Sequence, residues 1–434
     1  MKLFKEYRKK QNNVNTFWLN ISKQFQKNKL SVLSFRFIKI LVIIALLADI
    51  LANEKPLVCN IFGRTHFPVF KSYAVDIGVT QWEPAFQNIS WKDLRYDWAL
   101  FPPIPYQPRN IDDNNIHSVS PFDEQHISSN RWRHWLGTDE LGHDVMAALI
   151  HGTRIALFVG VVSMSIASLI GILLGSLAGY FGDDKFQLSR ARLITSVIFI
   201  PLAGFYAFSV RGYILTDAIG NSFGSFFIQL LFSLLIFIGI IYLGNLLSIP
   251  IKKIKILAVR IKIPVDLLVS RFIEIMLSIP TLFLIISIVA ISKPSIFLVM
   301  TIIGLTSWTG IARFIRAELL RIRNLEYIEA THALGYSEMR TILYHAIPNA
   351  ISPVLIAISF GIANAILIES SLSFLGVGIP ADTLTWGSLL SEARQSPSAW
   401  WLAVFPGMAI FLTVTFYNLV GEGLTDALDP RSNK

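Results

Sequence analysis

Long apolar runs separated by shorter polar stretches dominate this chain. Several approach or exceed the roughly 20 residues that a helix needs to cross a bilayer. They predict membrane helices at about 31–52, 154–181, 193–212, 226–249, 265–291, 296–312, 351–370 and 400–420. The first run is the weakest, because Arg36, Lys39 and Asp49 interrupt it. The two cations can snorkel toward the inner surface. A cleaved leader is the other reading of that run. The basic region ahead of it, residues 1–30, is too long for one, so a retained anchor is expected.

The polar stretches orient the spans. In residues 1–30, Lys2, Lys5, Arg8, Lys9, Lys10, Lys23, Lys27 and Lys29 face a single acid, Glu6. Such an excess marks a cytoplasmic tail. Residues 53–150 are rich in Pro, Trp and Asn, with more acids than bases, which suits the opposite side. Within them Phe101-Pro-Pro-Ile-Pro-Tyr-Gln-Pro108 is too proline-rich for a helix and is expected to run extended. Arg190 and Arg192 precede the runs at 193–212 and 226–249, and Lys252, Lys253, Lys255, Arg260 and Lys262 follow them. That pair therefore reads as a helical hairpin, about 190–262, with both ends inside. The result is an all-α polytopic membrane protein of eight spans, with the tail ending Asp429-Pro430-Arg431 also cytoplasmic.

Composition agrees. Of 434 residues, 53% are hydrophobic and 15% charged, unlike a soluble globular chain. The net charge of +9 follows the cytoplasmic loops and is not read as a nucleic-acid patch. One cysteine, Cys59, excludes an internal disulfide and any Cys-x-x-Cys site. No phosphate-cradling GxxxxGK[ST] loop, HExxH helix, Cys/His cluster or GxSxG elbow is present. No catalytic residue, metal ligand or cofactor is expected. His134, His143 and His151 are expected in surface or packing roles.

The loop at 313–348 is the most informative polar stretch. Arg313, Arg316, Arg321 and Arg323 crowd its start, as at an inner membrane surface. Leu325 and Ile328 open one apolar face. Met339, Ile342, Leu343, Ala346 and Ile347 make a second, at helical spacing. Gly335 can end the first helix, Ser337 can cap the second, and Pro348 lies near its end. A helix, a sharp turn and a second helix are predicted.

Within it, Glu329-Ala330-Thr331, three residues, Gly335, then a short apolar run closed by Pro348 resembles the EAA loop of permease subunits of ATP-binding-cassette (ABC) importers. Thr331 stands in place of that loop's second Ala. Trp135-Leu-Gly-Thr-Asp-Glu-Leu-Gly-His-Asp144 is similar to the Leu-Gly-Thr-Asp box of the oligopeptide and dipeptide permeases, with His143 where Arg is usual. Leu277-Ser-Ile-Pro280, Ser371-Leu-Ser-Phe-Leu-Gly-Val-Gly378, Trp386-Gly387, Phe405-Pro-Gly407 and Gly423-Leu-Thr-Asp-Ala-Leu-Asp-Pro-Arg431 extend the likeness, the last pointing to the subunit with the Leu-Asp-Pro tail.

The resemblance implies a six-span plan, the span at 31–52 and five more within the permease transmembrane domain at 151–434, to which the 190–262 hairpin is an addition. It implies coupling to two cytoplasmic ATPases through Glu329, Ala330, Gly335 and Pro348. A second, homologous permease would complete the path through the bacterial inner membrane, and a periplasmic or lipid-anchored binding protein would deliver the solute. ATP hydrolysis would then lie on other chains. Gly137, Thr138, Asp139, Gly142 and Asp144 are the outer-face box. Pro280 is a candidate hinge. Asn364 and Glu369, polar groups within an apolar span, are candidates for the path or for a structural hydrogen bond. Peptides are the cargo by analogy, with nickel complexes and peptide antibiotics open. A non-transporting scaffold or sensor and a stand-alone secondary transporter are the alternatives from other classes.

Overall fold

The computed structural model describes residue 19 and residues 21–428, apart from positions 88, 222, 381 and 382. The first eighteen residues of the basic tail and the Asp429–Arg431 tail lie outside the described residues. In chain order the main elements are α1 (Lys29–Leu46), α2 (Ala48–Leu51), β1 (Val58–Ile61), β2 (Arg64–His66), α3 (Pro68–Asp76), β3 (Trp98–Leu100) and α4 (Val145–Ser176). Then follow β4 (Gln187–Ser189), α5 (Arg190–Gly204), α6 (Gly212–Asn221), α7 (Phe223–Ile251), β5 (Arg260–Lys262), α8 (Val265–Ser278) and α9 (Thr281–Ile291). The chain ends with α10 (Ile296–Ile322), α11 (Glu326–Ala333), α12 (Glu338–Thr341), α13 (Ser352–Phe374), α14 (Trp386–Gln395) and α15 (Trp400–Leu428).

Two units divide the chain: Met1–Ser176 with Ile273–Lys434, and Leu177–Phe272. The core of the first is built on α4 and α10. Their approach is close because small residues face it. A methyl group added at Gly175 would lie 2.5 Å from the Ala312 carbonyl oxygen. Ser163 Oγ donates across the same seam to the Met300 carbonyl at 2.9 Å. Such small-residue seams let membrane helices pack by dispersion and hydrogen bonds. Val159, Met300, Ile303, Ala365 and Leu372 fill the centre, with Ile285 and Val289 of α9 beside them.

α1 starts where Asn28 caps it, its Oδ1 accepting from the Leu30 and Ser31 amides at 3.2 Å. Its Ser31–Ser34–Ile38–Leu41–Ala45 face is buried. Ser31 Oγ donates to the Leu419 carbonyl of α15 at 3.1 Å, and Phe37 meets Phe416 with ring centroids 4.2 Å apart. In the segment between α2 and α4, β1 pairs antiparallel with β2 and β3, in the order β2-β1-β3. The proline-rich stretch does run extended: Ile104 exchanges hydrogen bonds with Leu51 and Asn53 at 3.0 Å.

In the second unit, the apolar helices Arg190–Ala218 and Ile228–Ile251 form the expected hairpin. Its base is closed by β4 and β5, with Gln187 opposite Lys262 and Ser189 opposite Arg260. Inside it Arg211 donates to Ser233 Oγ at 3.1 Å and to Gln229 Oε1 at 2.6 Å.

The count of spans differs from the eight expected. Among the described residues, six helices are long and apolar enough to cross a membrane: Val145–Phe181, Arg190–Ala218, Ile228–Ile251, Ile296–Ile322, Ser352–Phe374 and Trp400–Leu428. A seventh is reached if α8 and α9, bent by 76° between Ser278 and Thr281, count as one. α1 is not among them, because Lys29, Arg36 and Lys39 dilute its 18 residues.

Candidate functional site

The polar loop between α10 and α13 folds into an elbow. α11 ends at Gly335, whose φ of +74° is left-handed and favours a residue without Cβ. The Tyr336 amide reaches back to the Thr331 carbonyl at 3.1 Å, closing the glycine-capped turn. Ser337 then caps α12, its Oγ accepting from the Arg340 amide at 3.4 Å. Glu329, Ala330, Gly335 and Pro348 are all exposed. Around them stand Leu334, 71% exposed, Met339, 60%, and Tyr344, 73%. The arrangement is a short acidic helix and an apolar knob on one bent support, suited to seating in a groove of another protein.

What stiffens the support was not evident from the sequence. Thr331, the substituted position of the motif, is 6% exposed. Its hydroxyl donates to the Ile328 carbonyl at 2.7 Å and lies 3.1 Å from Thr341 Oγ1, which pins α11 to α12. His332 Nδ1 lies 3.7 Å from Glu338 across the same bend. Tyr336 stacks on His345 at 5.7 Å and carries the Arg340 guanidinium at 4.4 Å. The predicted single apolar stripe is divided. Ile342 and Ala346 are buried while Met339 and Leu343 are exposed. The reason is a π turn over Ile342–Ala346, which shifts the helical phase.

The outer-face box is a second knot. Asp139 accepts from the Leu141 and His143 amides at 2.9 and 2.8 Å and pairs with His143 Nδ1 at 2.6 Å. The Thr138 hydroxyl donates to the Asn115 carbonyl at 2.8 Å, and Trp401 of α15 donates to the Thr138 carbonyl at 3.0 Å. Asp144 caps α4, its Oδ1 accepting from the Ala147 amide at 2.6 Å. Gly137 and Gly142 both take positive φ, which turns the box back on itself.

His134 sits beneath the box, fully buried. Its Nδ1 is 2.8 Å from Asp144 and its Nε2 is 3.3 Å from Asp112. The Tyr106 ring stacks on it at 4.2 Å. Burial opposes a charge on His134, but its hydrogen bonds to Asp112 and Asp144 outweigh that and raise its pKa above the usual 6.5. Burial likewise opposes charge on Asp112, yet His134, Asn115 and Lys92 hold its carboxyl well below the usual carboxylate range. Beside the box, burial first and then the Asp139 charge push Glu392 up to about 8. One of its oxygens, Oε2, is buried without a hydrogen-bond partner.

Pro280, Asn364 and Glu369 are not drawn together. Pro280 and Asn364 are exposed. Glu369 is 1% exposed and accepts from Ser373 Oγ at 2.7 Å and Ser370 Oγ at 3.3 Å. These contacts hold the Glu369 carboxylate within α13.

Residues 255–434, covering α8 to the C-terminus, match the family described as the inner membrane component of binding-protein-dependent transport systems. Its relatives over most of its length are ABC transporter permeases. It is 27% identical to the inner membrane ABC transporter permease protein YejE of Escherichia coli strain K12, over 94% of this chain and 95% of that one. It is also 27% identical to the peptidoglycan transport system permease protein YejE of Agrobacterium fabrum, over 94% and 91%. The dipeptide transport system permease protein DppC of Bacillus subtilis matches at 27% over 69% of each chain. This permease is therefore a multi-pass protein of the inner membrane, in a family of transport components rather than enzymes. The family match begins at residue 255, after the apolar helices Arg190–Ala218 and Ile228–Ile251.

Proposed function

We propose that this permease is one half of the membrane path of a peptide importer, worked by two cytoplasmic ATPases that grip the elbow. A second permease would form the other half, and a periplasmic or lipid-anchored binding protein would deliver the peptide. Peptide cargo is carried over from relatives named for dipeptide and peptidoglycan transport. The single supporting observation is the elbow: Glu329 and Ala330 exposed on α11, with a bend fixed by Gly335 and by the Thr331–Thr341 pair.

Alternating access needs a part whose contacts differ between two states. An elbow seated in a motor groove supplies it, because closure of the ATPases on ATP would swing α11 and, through α12, the spans on either side. Hydrolysis would fall to those ATPases, in keeping with a sequence that carries no GxxxxGK[ST] loop. α1 and α2 together would be a retained first span.

Uptake of a labelled dipeptide by membranes carrying Glu329→Ala or Gly335→Val tests this reading. Transport is expected to fall roughly tenfold or more while the chain remains inserted. Unchanged uptake would overturn the coupling role. Mass spectrometry of what the partner binding protein carries would separate peptides from nickel complexes and peptide antibiotics.

A further inference from the structure

The helix α3 presents an apolar face that none of the described residues covers. Phe67 is 52% exposed, Phe70 51%, Tyr73 40% and Ile77 77%. Their spacing places all four on one side of a helical path. The opposite side is tied to the outer segment. Val69 is fully buried, and Lys71 pairs with Glu83 at 3.0 Å.

Depth along the membrane normal is fixed by one hydrogen bond. Tyr73 OH donates to Asp49 Oδ2 at 2.5 Å, and Asp49 pairs with Arg154 of α4 at 2.7 Å. Arg154 Nε also donates to the Ala45 carbonyl at 2.9 Å. The helix that carries Arg154 runs on to Phe181. At 1.5 Å per residue that stretch is about 40 Å long, close to the thickness of a bilayer with its headgroup regions. The Asp49–Arg154–Tyr73 cluster therefore stands at the outer headgroup level. Next to it α1 shows Ile43, 54% exposed, and Leu46, 72%, so the apolar surface of the span leads directly to α3.

We infer that α3 lies in the plane of the membrane's outer leaflet, with Phe67, Phe70, Tyr73 and Ile77 among the lipid chains. Amphipathic helices with an aromatic face dock at this boundary, and tyrosine and tryptophan rings are favoured there. The outer segment thereby rests on the bilayer as well as on the box. The inference takes α1 and α2 as the retained first span and goes beyond the transport reading.

Single cysteines at Phe70, Ile77, Asp76 and Ile43, each spin-labelled in the full chain in phosphatidylcholine nanodiscs, test it. Cys59 is fully buried and its thiol is pushed up to about 11, so labelling is confined to the introduced residue. Labels at Phe70 and Ile77 are expected to be relaxed by oxygen and shielded from a water-soluble nickel chelate, while Asp76 shows the reverse. Nickel access at Phe70 and Ile77, with Ile43 still in hydrocarbon, would put α3 in water and overturn the inference. Shielding of both labels from oxygen and nickel alike would mean a protein covers α3, which also overturns it. Nickel access at Ile43 would remove the first-span reading and the depth assigned to α3 with it.

Discussion

His134, fully buried, is held by Asp112 and Asp144, so its removal takes a buried partner from two carboxylates. Breaking a buried pair by deleting one partner costs about 3–5 kcal/mol. His134→Ala is therefore expected to lower the melting temperature of the purified chain sharply, measured by scanning fluorimetry in detergent. The pH dependence has a definite sign. His134 titrates above its ordinary 6.5, so its contribution is complete below that pH and is lost as pH rises through the folded value. Asp112 titrates below its ordinary 3.8, so its contribution holds above that pH and is lost as pH falls through its folded value. These two groups by themselves give a plateau between those limits, and His134→Ala should remove their share of the decline on its alkaline side. Glu392, raised from 4.5 to about 8, favours folding when protonated and loses that contribution between those values. Glu392→Gln should flatten that slope and leave the protein more stable above pH 8. The sequence marked the box residues and gave His134 no more than a surface or packing role. Asp144 and Asp112 lie ten and 22 residues from it along the chain, a spacing with no local signature.

The elbow shows which elements a sequence can disclose. Gly335 and Ser337 announce their own backbone roles, so the helix, bend and helix were legible. The Thr331–Thr341 bond was not, because a hydroxyl pair ten residues apart has no local signature. The π turn at Ile342–Ala346 was equally hidden, since its residues fit an ordinary apolar stripe. Thr341→Val keeps the shape and removes the hydroxyl, at a cost of about 1 kcal/mol. Amide exchange across residues 326–346 is expected to quicken and peptide uptake to drop, with the helical content unchanged. Exchange as slow as in the parent chain would mean that the bond does not stiffen the bend.

At the scale of the molecule, the charged flanks revealed the added hairpin, while the cations in α1 confused the count of spans. The hairpin is closed by its own strand pair, with Ser189 facing Arg260. Replacing residues 190–259 by an Asn-Gly turn, a favoured two-residue hairpin link, should yield a shorter chain that still inserts and melts like the parent. Aggregation of that variant in detergent would show the hairpin to be part of the permease's stability. The bend at Pro280 has a different consequence. Proline brings no amide to the carbonyl one turn earlier, and α9 has to begin a new ladder beyond it. Leu277 and Ile279 flank this gap and are 51% and 40% exposed. Hydrocarbon cannot solvate an opened backbone; such a gap survives at membrane depth only against protein or in a wet cavity. The side of the fold that shows the broken ladder is therefore the side turned away from lipid.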